Sequence, residues 1–120
     1  MVLVAVDDLL FKSKIRATAK QAGVELAFAV SQEEVLEQAR NARPALVIFD
    51  LNSGKADPVS TIAALKADPA LSTIPTLGFA SHVHAELIAE ARKAGADEVL
   101  ARSAFAGNLA EILLSAERSA

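Results

Sequence analysis

The chain has 120 residues, of which 52% are hydrophobic, and its 12 basic and 15 acidic side chains give a net charge of −3. This is the composition of one globular domain large enough to bury a core, and it excludes both a disordered segment and a basic nucleic-acid binder. The lack of Tyr and Trp removes a stacking platform for bases, and the lack of Cys removes disulfides and thiolate metal sites while leaving the compartment open.

The opening run Met1–Val6 is apolar but too short for a signal or membrane segment, and it stops at Asp7–Asp8. Cytoplasmic residence without membrane contact is therefore expected. Val2–Val6 reads as a buried strand. From Leu10 a helical period follows, with Phe11, Ile15, Ala19 and Ala22 on one face and Gly23 as its C-terminal stop. Lys12, Lys14, Arg16 and Lys20 fall on the solvated side, where Lys14 and Arg16 are also placed to meet a partner. Val24, Leu26, Phe28 and Val30 alternate, as in a strand near a sheet edge. Ser31 with Glu34 forms a capping box for a helix through Val35, Leu36 and Ala39.

After Pro44, Ala45–Phe49 run apolar without a break and stop at Asp50, the pattern of a central parallel strand buried on both faces. Residues 52–57 are a polar, glycine-containing loop, and Asp57–Pro58 predicts an N-cap and first helical position. That helix continues through Ile62, Leu65 and Lys66 to Asp68–Pro69. Thr76–Ala80 is a fourth strand, Val83–Ala94 a fourth helix stopped by Gly95, and Glu98–Ala101 a last short strand. Phe105, Leu109, Ile112, Leu113 and Ala116 mark one final helix. No repeat, low-complexity tract or linker interrupts the series, so residues 1–120 read as one domain. Strands alternating with helices over short connections predict a parallel sheet covered on both faces.

Ligand and reaction sites of open α/β sheets lie just outside the carboxyl ends of the strands. Asp50 ends the third strand there, and Asp7 and Asp8 end the first. Neighbouring strands would bring the three carboxylates together, and like charges that close need a cation, for which a hard divalent ion such as Mg²⁺ is the natural choice. The alternative for Asp7 and Asp8 is that they cap the first helix.

In this order and spacing, Val4–Ala5–Val6–Asp7–Asp8, Ile48–Phe49–Asp50–Leu51–Asn52, Ile74–Pro75 and Ala94–Gly95–Ala96–Asp97–Glu98 resemble the receiver domains of two-component response regulators, over essentially the whole chain. The resemblance implies a flavodoxin-like (βα)5 three-layer sandwich with a five-stranded parallel sheet in the order 2-1-3-4-5. It also implies a signalling phosphoprotein and not an enzyme. Asp50 would be the phosphoacceptor, loaded by a histidine kinase or phosphotransfer protein. Asp8, Asp50 and the carbonyl of Asn52 would hold Mg²⁺, with Asp7 reaching it through water. A downstream protein partner would meet the face of the fourth helix, fifth strand and fifth helix.

The chain departs from the family where phosphorylation is read. The usual Thr or Ser five residues past Pro75 is Ala80, with Ser81 beside it, and successive strand residues point to opposite faces. The family's Lys is Arg102, which keeps the charge on a larger planar fork. The proline after it is Ser103, for which a cis bond costs about 2.5–4 kcal/mol, so a trans bond and a displaced Arg102 are expected. Relative to the family pattern, one residue is inserted before Phe105. The position often holding a switch aromatic is Val99, the Met-Pro after Asp50 is Ser53–Gly54, and a later Gly is Pro58.

Two other readings follow. With those positions degenerate, the domain could act as a phosphorylation-independent interaction module. Asp50–Leu51–Asn52 also resembles the Asp-x-Asp of haloacid-dehalogenase-type phosphohydrolases, but Asn52 cannot deliver the proton that the second Asp supplies. His82 and His84 do not share a helix face and have no third ligand nearby, so they read as solvent-facing loop residues.

Overall fold

The computed structural model describes residues 1–54, 56–81 and 83–119. These form strands β1 (Val2–Ala5), β2 (Leu26–Phe28), β3 (Leu46–Asp50), β4 (Thr76–Ala80) and β5 (Glu98–Ala101). They alternate with helices α1 (Leu9–Ala22), α2 (Gln32–Ala42), α3 (Pro58–Ala67), α4 (Ala85–Ala94), α5 (Arg102–Gly107) and α6 (Leu109–Ser119). All strand pairs are parallel, in the order β2-β1-β3-β4-β5, the flavodoxin-like arrangement the sequence implied.

The unbroken apolar runs are explained by a sheet covered twice. Leu3, Ala5, Val47 and Phe49 pack under α2, α3 and α4 with Val35, Ala39, Ile62, Leu65 and Ala91. Their strand neighbours Val2, Val4, Ile48, Leu77 and Phe79 face the other way, onto Ile15, Ala19, Phe105, Leu109 and Leu113 of α1, α5 and α6. Each Val, Leu, Ile or Phe among them taken out of water stabilises the fold by about 1.5–3 kcal/mol, so the alternation fixes strand register firmly.

Several boundaries differ from the sequence reading. β1 stops at Ala5, although Val6 remains fully buried. α4 begins at Ala85 and not at Val83, because the His84 N–H donates to the Ser81 carbonyl and closes a turn; Val83 lies in that turn, 71% exposed. Asp57 does precede Pro58 at the start of α3, yet with φ 42° and ψ 65° its side chain makes no cap bond. Thr61 is tied in there instead, its hydroxyl donating to the carbonyls of Ala56 (2.6 Å) and Asp57 (2.9 Å).

The predicted final helix is two helices broken at Asn108. Gly107 and Asn108 are poor helix formers, and the Ala104 carbonyl at the end of α5 accepts from both the Asn108 side chain at 2.9 Å and the Asn108 backbone N–H at 3.2 Å. No cis peptide bond occurs among the described residues, so the bond from Arg102 to Ser103 is trans and α5 starts at Arg102 directly after β5.

Candidate functional site

β1 and β3 are neighbours with Val4 beside Ile48 and Ala5 beside Phe49, so their carboxyl ends fall side by side. The chain leaves β1 through Asp7 and Asp8 next to the point where Asp50 ends β3. Leu51 then turns down over β4: its N–H donates to the Phe79 carbonyl at 3.0 Å, and its side chain lies on Gly78. A Cβ at Gly78 would stand 2.9 Å from Leu51 Cδ2, so this close approach needs glycine. The anchored Leu51 lets the next backbone N–H, that of Asn52, donate to Asp50 Oδ1 at 2.9 Å.

Asp50 is only 6% exposed. Burial raises its carboxyl above the ordinary range; the Asn52 N–H and the Arg102 guanidinium pull it back, while Asp7 and Asp8 push it up further. Asp7 is half-buried, and its Oδ2 accepts a 2.6 Å hydrogen bond from the hydroxyl of Ser53, itself buried. Asp8 caps α1, the alternative weighed from the sequence: its Oδ1 accepts from the Phe11 N–H at 3.0 Å. Its Oδ2 pairs with Arg102 at 3.5 Å.

The three acids therefore surround one spot without being gathered as ligands. Among the described residues, no three His, Cys, Asp or Glu side chains form a group that could hold a metal ion as they stand. This corrects the expectation that they would sit within one coordination shell. Asp8 is drawn off by the helix cap and Arg102, and Asp7 by Ser53. The donor chemistry nevertheless fits a hard divalent cation, since Asp8, Asp50 and the Asn52 carbonyl are all oxygen donors beside a buried carboxylate.

The remaining positions flank this spot. Ala80 is fully buried at the end of β4 and offers no hydroxyl. Ser81 lies beyond the strand, where the chain turns, and lines an open depression together with Phe11, Ala101, Arg102 and Ser103. Ser81 and Arg102 are thus brought to one hollow despite the opposite faces that strand alternation predicts. Val99 is half-buried and packs with the α2–α4 core on the far face of the sheet. His84 is exposed, as expected, but its Nδ1 lies 3.3 Å from Asn52 Nδ2; His82 lies outside the described residues.

Sequence reasoning missed Ser53 and Phe11. In the sequence Ser53 stands out only as replacing a family residue, and no local pattern signals a hydroxyl bonding a carboxylate 46 positions away. Phe11 packs on the core as its helical spacing predicts, and in addition its backbone N–H donates to Asp8 and its ring carries Arg102, whose guanidinium carbon lies 4.8 Å from the ring centroid.

A sequence model of the response regulator receiver domain matches residues 2–114. The fold is similar to that of the chemotaxis response regulator CheY4 of Vibrio cholerae, with a TM-score of 0.80 at 23% identity over 96% of each chain. A response regulator from Hahella chejuensis gives 0.83 at 22% identity, covering 96% of this chain and 92% of that one. The receiver domain of NtrX from Brucella abortus gives 0.81 at 17% identity over all of both chains. Comparison with functionally curated proteins gave no match.

Proposed function

The chain belongs to the response regulator receiver domain family of two-component signalling, and from that we propose that Asp50 accepts a phosphoryl group from a phosphohistidine of a kinase or phosphotransfer protein. The observation that carries this reading is the setting of Asp50, a buried carboxylate held at the carboxyl end of the central strand, with acids on one side and a guanidinium within range.

In the proposed transfer, a carboxylate oxygen of Asp50 attacks phosphorus, the phosphorus–nitrogen bond breaks, and the imidazole leaves with a proton from solvent. Oδ1 is held by the Asn52 N–H, which fixes the carboxylate plane and leaves Oδ2 to attack. Asp8, Asp50 and the Asn52 carbonyl would hold Mg²⁺, with Asp7 reaching it through water. The ion when bound would offset the repulsion of anion by anion and align the reacting oxygens. Arg102 would supply a second positive charge, and Ser81 the hydroxyl that Ala80 lacks. The product is a phosphoprotein whose altered surface of α4, β5 and the α5–α6 pair meets a downstream protein, and the domain then acts as a signalling module without turnover of its own.

A second reading, an interaction module independent of phosphorylation, is favoured by one feature: both oxygens of Asp8 are already engaged. Nothing favours a dehalogenase-type hydrolase, since Asn52 lies against His84 and carries no acid.

Intact mass after incubation with acetyl phosphate and Mg²⁺ separates these. Wild type should gain one phosphoryl mass and Asp50→Asn none. A wild type that gains none, also with a cognate kinase, would leave the interaction module.

A further inference from the structure

We propose that Arg102 is a tethered cation that competes with the divalent metal for Asp8, so that this chain's own guanidinium raises the concentration of metal the site needs. The inference rests on the reading of Asp8 as a metal ligand given above. It deepens that reading by naming what the metal must displace.

Three contacts close on one another here. Asp8 Oδ1 takes the Phe11 N–H at 3.0 Å, Asp8 Oδ2 takes Arg102 at 3.5 Å, and the Arg102 guanidinium lies 4.8 Å from the centroid of the Phe11 ring. Phe11 is in turn fixed from below. Its ring centroid is 5.1 Å from that of Phe79 and 5.8 Å from that of Phe105, and those two stack at 4.3 Å. The guanidinium therefore rests on a three-ring base drawn from α1, β4 and α5, with its edge toward the carboxylate. A planar fork can lie flat on the ring and pair along its edge at once, a fixed geometry that a point-charge ammonium does not impose.

The origin is the backbone at the end of β5. With a trans bond before Ser103, α5 begins at Arg102, which makes its ion pair with Asp8 at the head of α1. No ion pair joins Arg102 to Asp50 among the described residues, although its charge is felt there. A fixed positive charge thus neutralises part of the acidic cluster without metal. For Asp8 Oδ2 to take a metal, it must first give up Arg102.

Asp8 and Arg102 are each nearly half-exposed, at 45% and 41%, so their pair is a weak one in water. Removing it should tighten metal binding by about two- to five-fold.

The test is Mn²⁺ binding by the full 120-residue chain, read from loss of the free-ion paramagnetic resonance signal at fixed ionic strength. The chains are wild type, Arg102→Gln, Asp50→Asn, Asp8→Asn and the Asp8→Asn/Arg102→Gln pair. Arg102→Gln should bind about two- to five-fold tighter than wild type. In the Asp8→Asn background the same substitution should change affinity clearly less. Equal affinity of Arg102→Gln and wild type overturns the proposal. So does equal tightening in both backgrounds, which would be the mere removal of a nearby charge.

The Asp50→Asn arm examines the underlying site separately. If it binds Mn²⁺ as wild type does, the metal lies elsewhere and the reading of the site fails with the inference. A metal-free readout guards against a folding artefact: the Arg102 Nε–H resonance should move on Asp8→Asn, and an unmoved resonance counts against the pair.

Discussion

Gly78→Ala puts the smallest side chain at the point where the site is hung on the sheet. Gly78 is not at positive φ, so only space is at issue. The new Cβ would meet Leu51 Cδ2 at 2.9 Å and Cδ1 and Cγ at 3.1 Å, against about 3.5–4.0 Å for relaxed carbon contacts. Leu51 is 2% exposed and its backbone is bonded to Phe79, so it has little room to retreat. Overpacking of this kind costs about 1–3 kcal/mol, reduced by a few tenths because alanine has less unfolded-state freedom than glycine. With an unfolding entropy of about 250 cal/mol/K for a chain of this length, Tm should fall by about 4–12 °C. The consequence for function follows from chain order, since displacing Leu51 shifts the Asn52 N–H that orients Asp50; uptake of phosphate from acetyl phosphate should slow. Thermal melts by circular dichroism check the first effect, and a double-mutant cycle with Leu51→Ala isolates the cause. Leu51→Ala alone leaves a cavity and costs about 2–5 kcal/mol, and adding Gly78→Ala to it should cost less than it does in wild type. An unchanged Tm for Gly78→Ala, or strict additivity in the cycle, would refute the packing argument.

Two further predictions concern titration. Burial, followed by the charges of Asp7 and Asp8, raises the folded Asp50 carboxyl above its ordinary value of 3.8, so the ionised group costs stability that appears as pH rises through that range toward the raised value. Asp50→Asn, which keeps the acceptor for Asn52, should therefore be more stable than wild type in urea at neutral pH, with the gap closing in acid; a gap independent of pH would contradict this. At Asp97, burial is outweighed by hydrogen bonds from Lys66 and Thr76, which lower the carboxyl below 3.8. Its stabilising contribution is present at neutral pH and lost as pH falls through the lowered value, so Asp97→Asn should destabilise at pH 7 by about 0.5–1 kcal/mol, given its half-exposed side chain, and be neutral in strong acid.

The parts of the fold legible in the sequence were those set by periodicity and by backbone chemistry. Thr76–Ala80 and Glu98–Ala101 are strands with the expected bounds, and Gly23 closes α1 at φ 73° as a C-terminal glycine does. The failures have a common form: an end where the backbone of the adjoining loop overrode the local signal. Asp57–Pro58 carries a good N-cap signal, but the loop delivers Asp57 in a left-handed conformation from which its carboxylate makes no cap bond. Val83 completes an apolar spacing with Leu87 and Ala91, but the turn closed on Ser81 leaves it outside the helix. At the site, the strand ends that position Asp7, Asp8 and Asp50 were readable because two apolar runs stop at acids. The partners of those acids were not. Ser53 and Arg102 reach them from other elements, and which oxygen each one takes is decided by packing at the top of the sheet; the Phe11 N–H alone belongs to the helix cap that the sequence offers for Asp8.

That division bears on how the site could both hold a metal and keep its helix. Asp8 has two oxygens with separate attachments, the cap of α1 on Oδ1 and the guanidinium on Oδ2. Loss of an N-cap costs about 0.5–2 kcal/mol, more than a half-exposed ion pair returns. A ligand taking Oδ1 would thus fray the first turn of α1, where Leu9 and Leu10 already stand 77% and 86% exposed. A ligand taking Oδ2 leaves the helix intact and competes with Arg102 alone. The lower-cost exchange is the second, and it moves a charge borne by α5 while leaving α1 in place. Any change that binding at this carboxylate sends through the domain would then start at the junction of β5 and α5, on the edge of the surface proposed to meet the downstream partner.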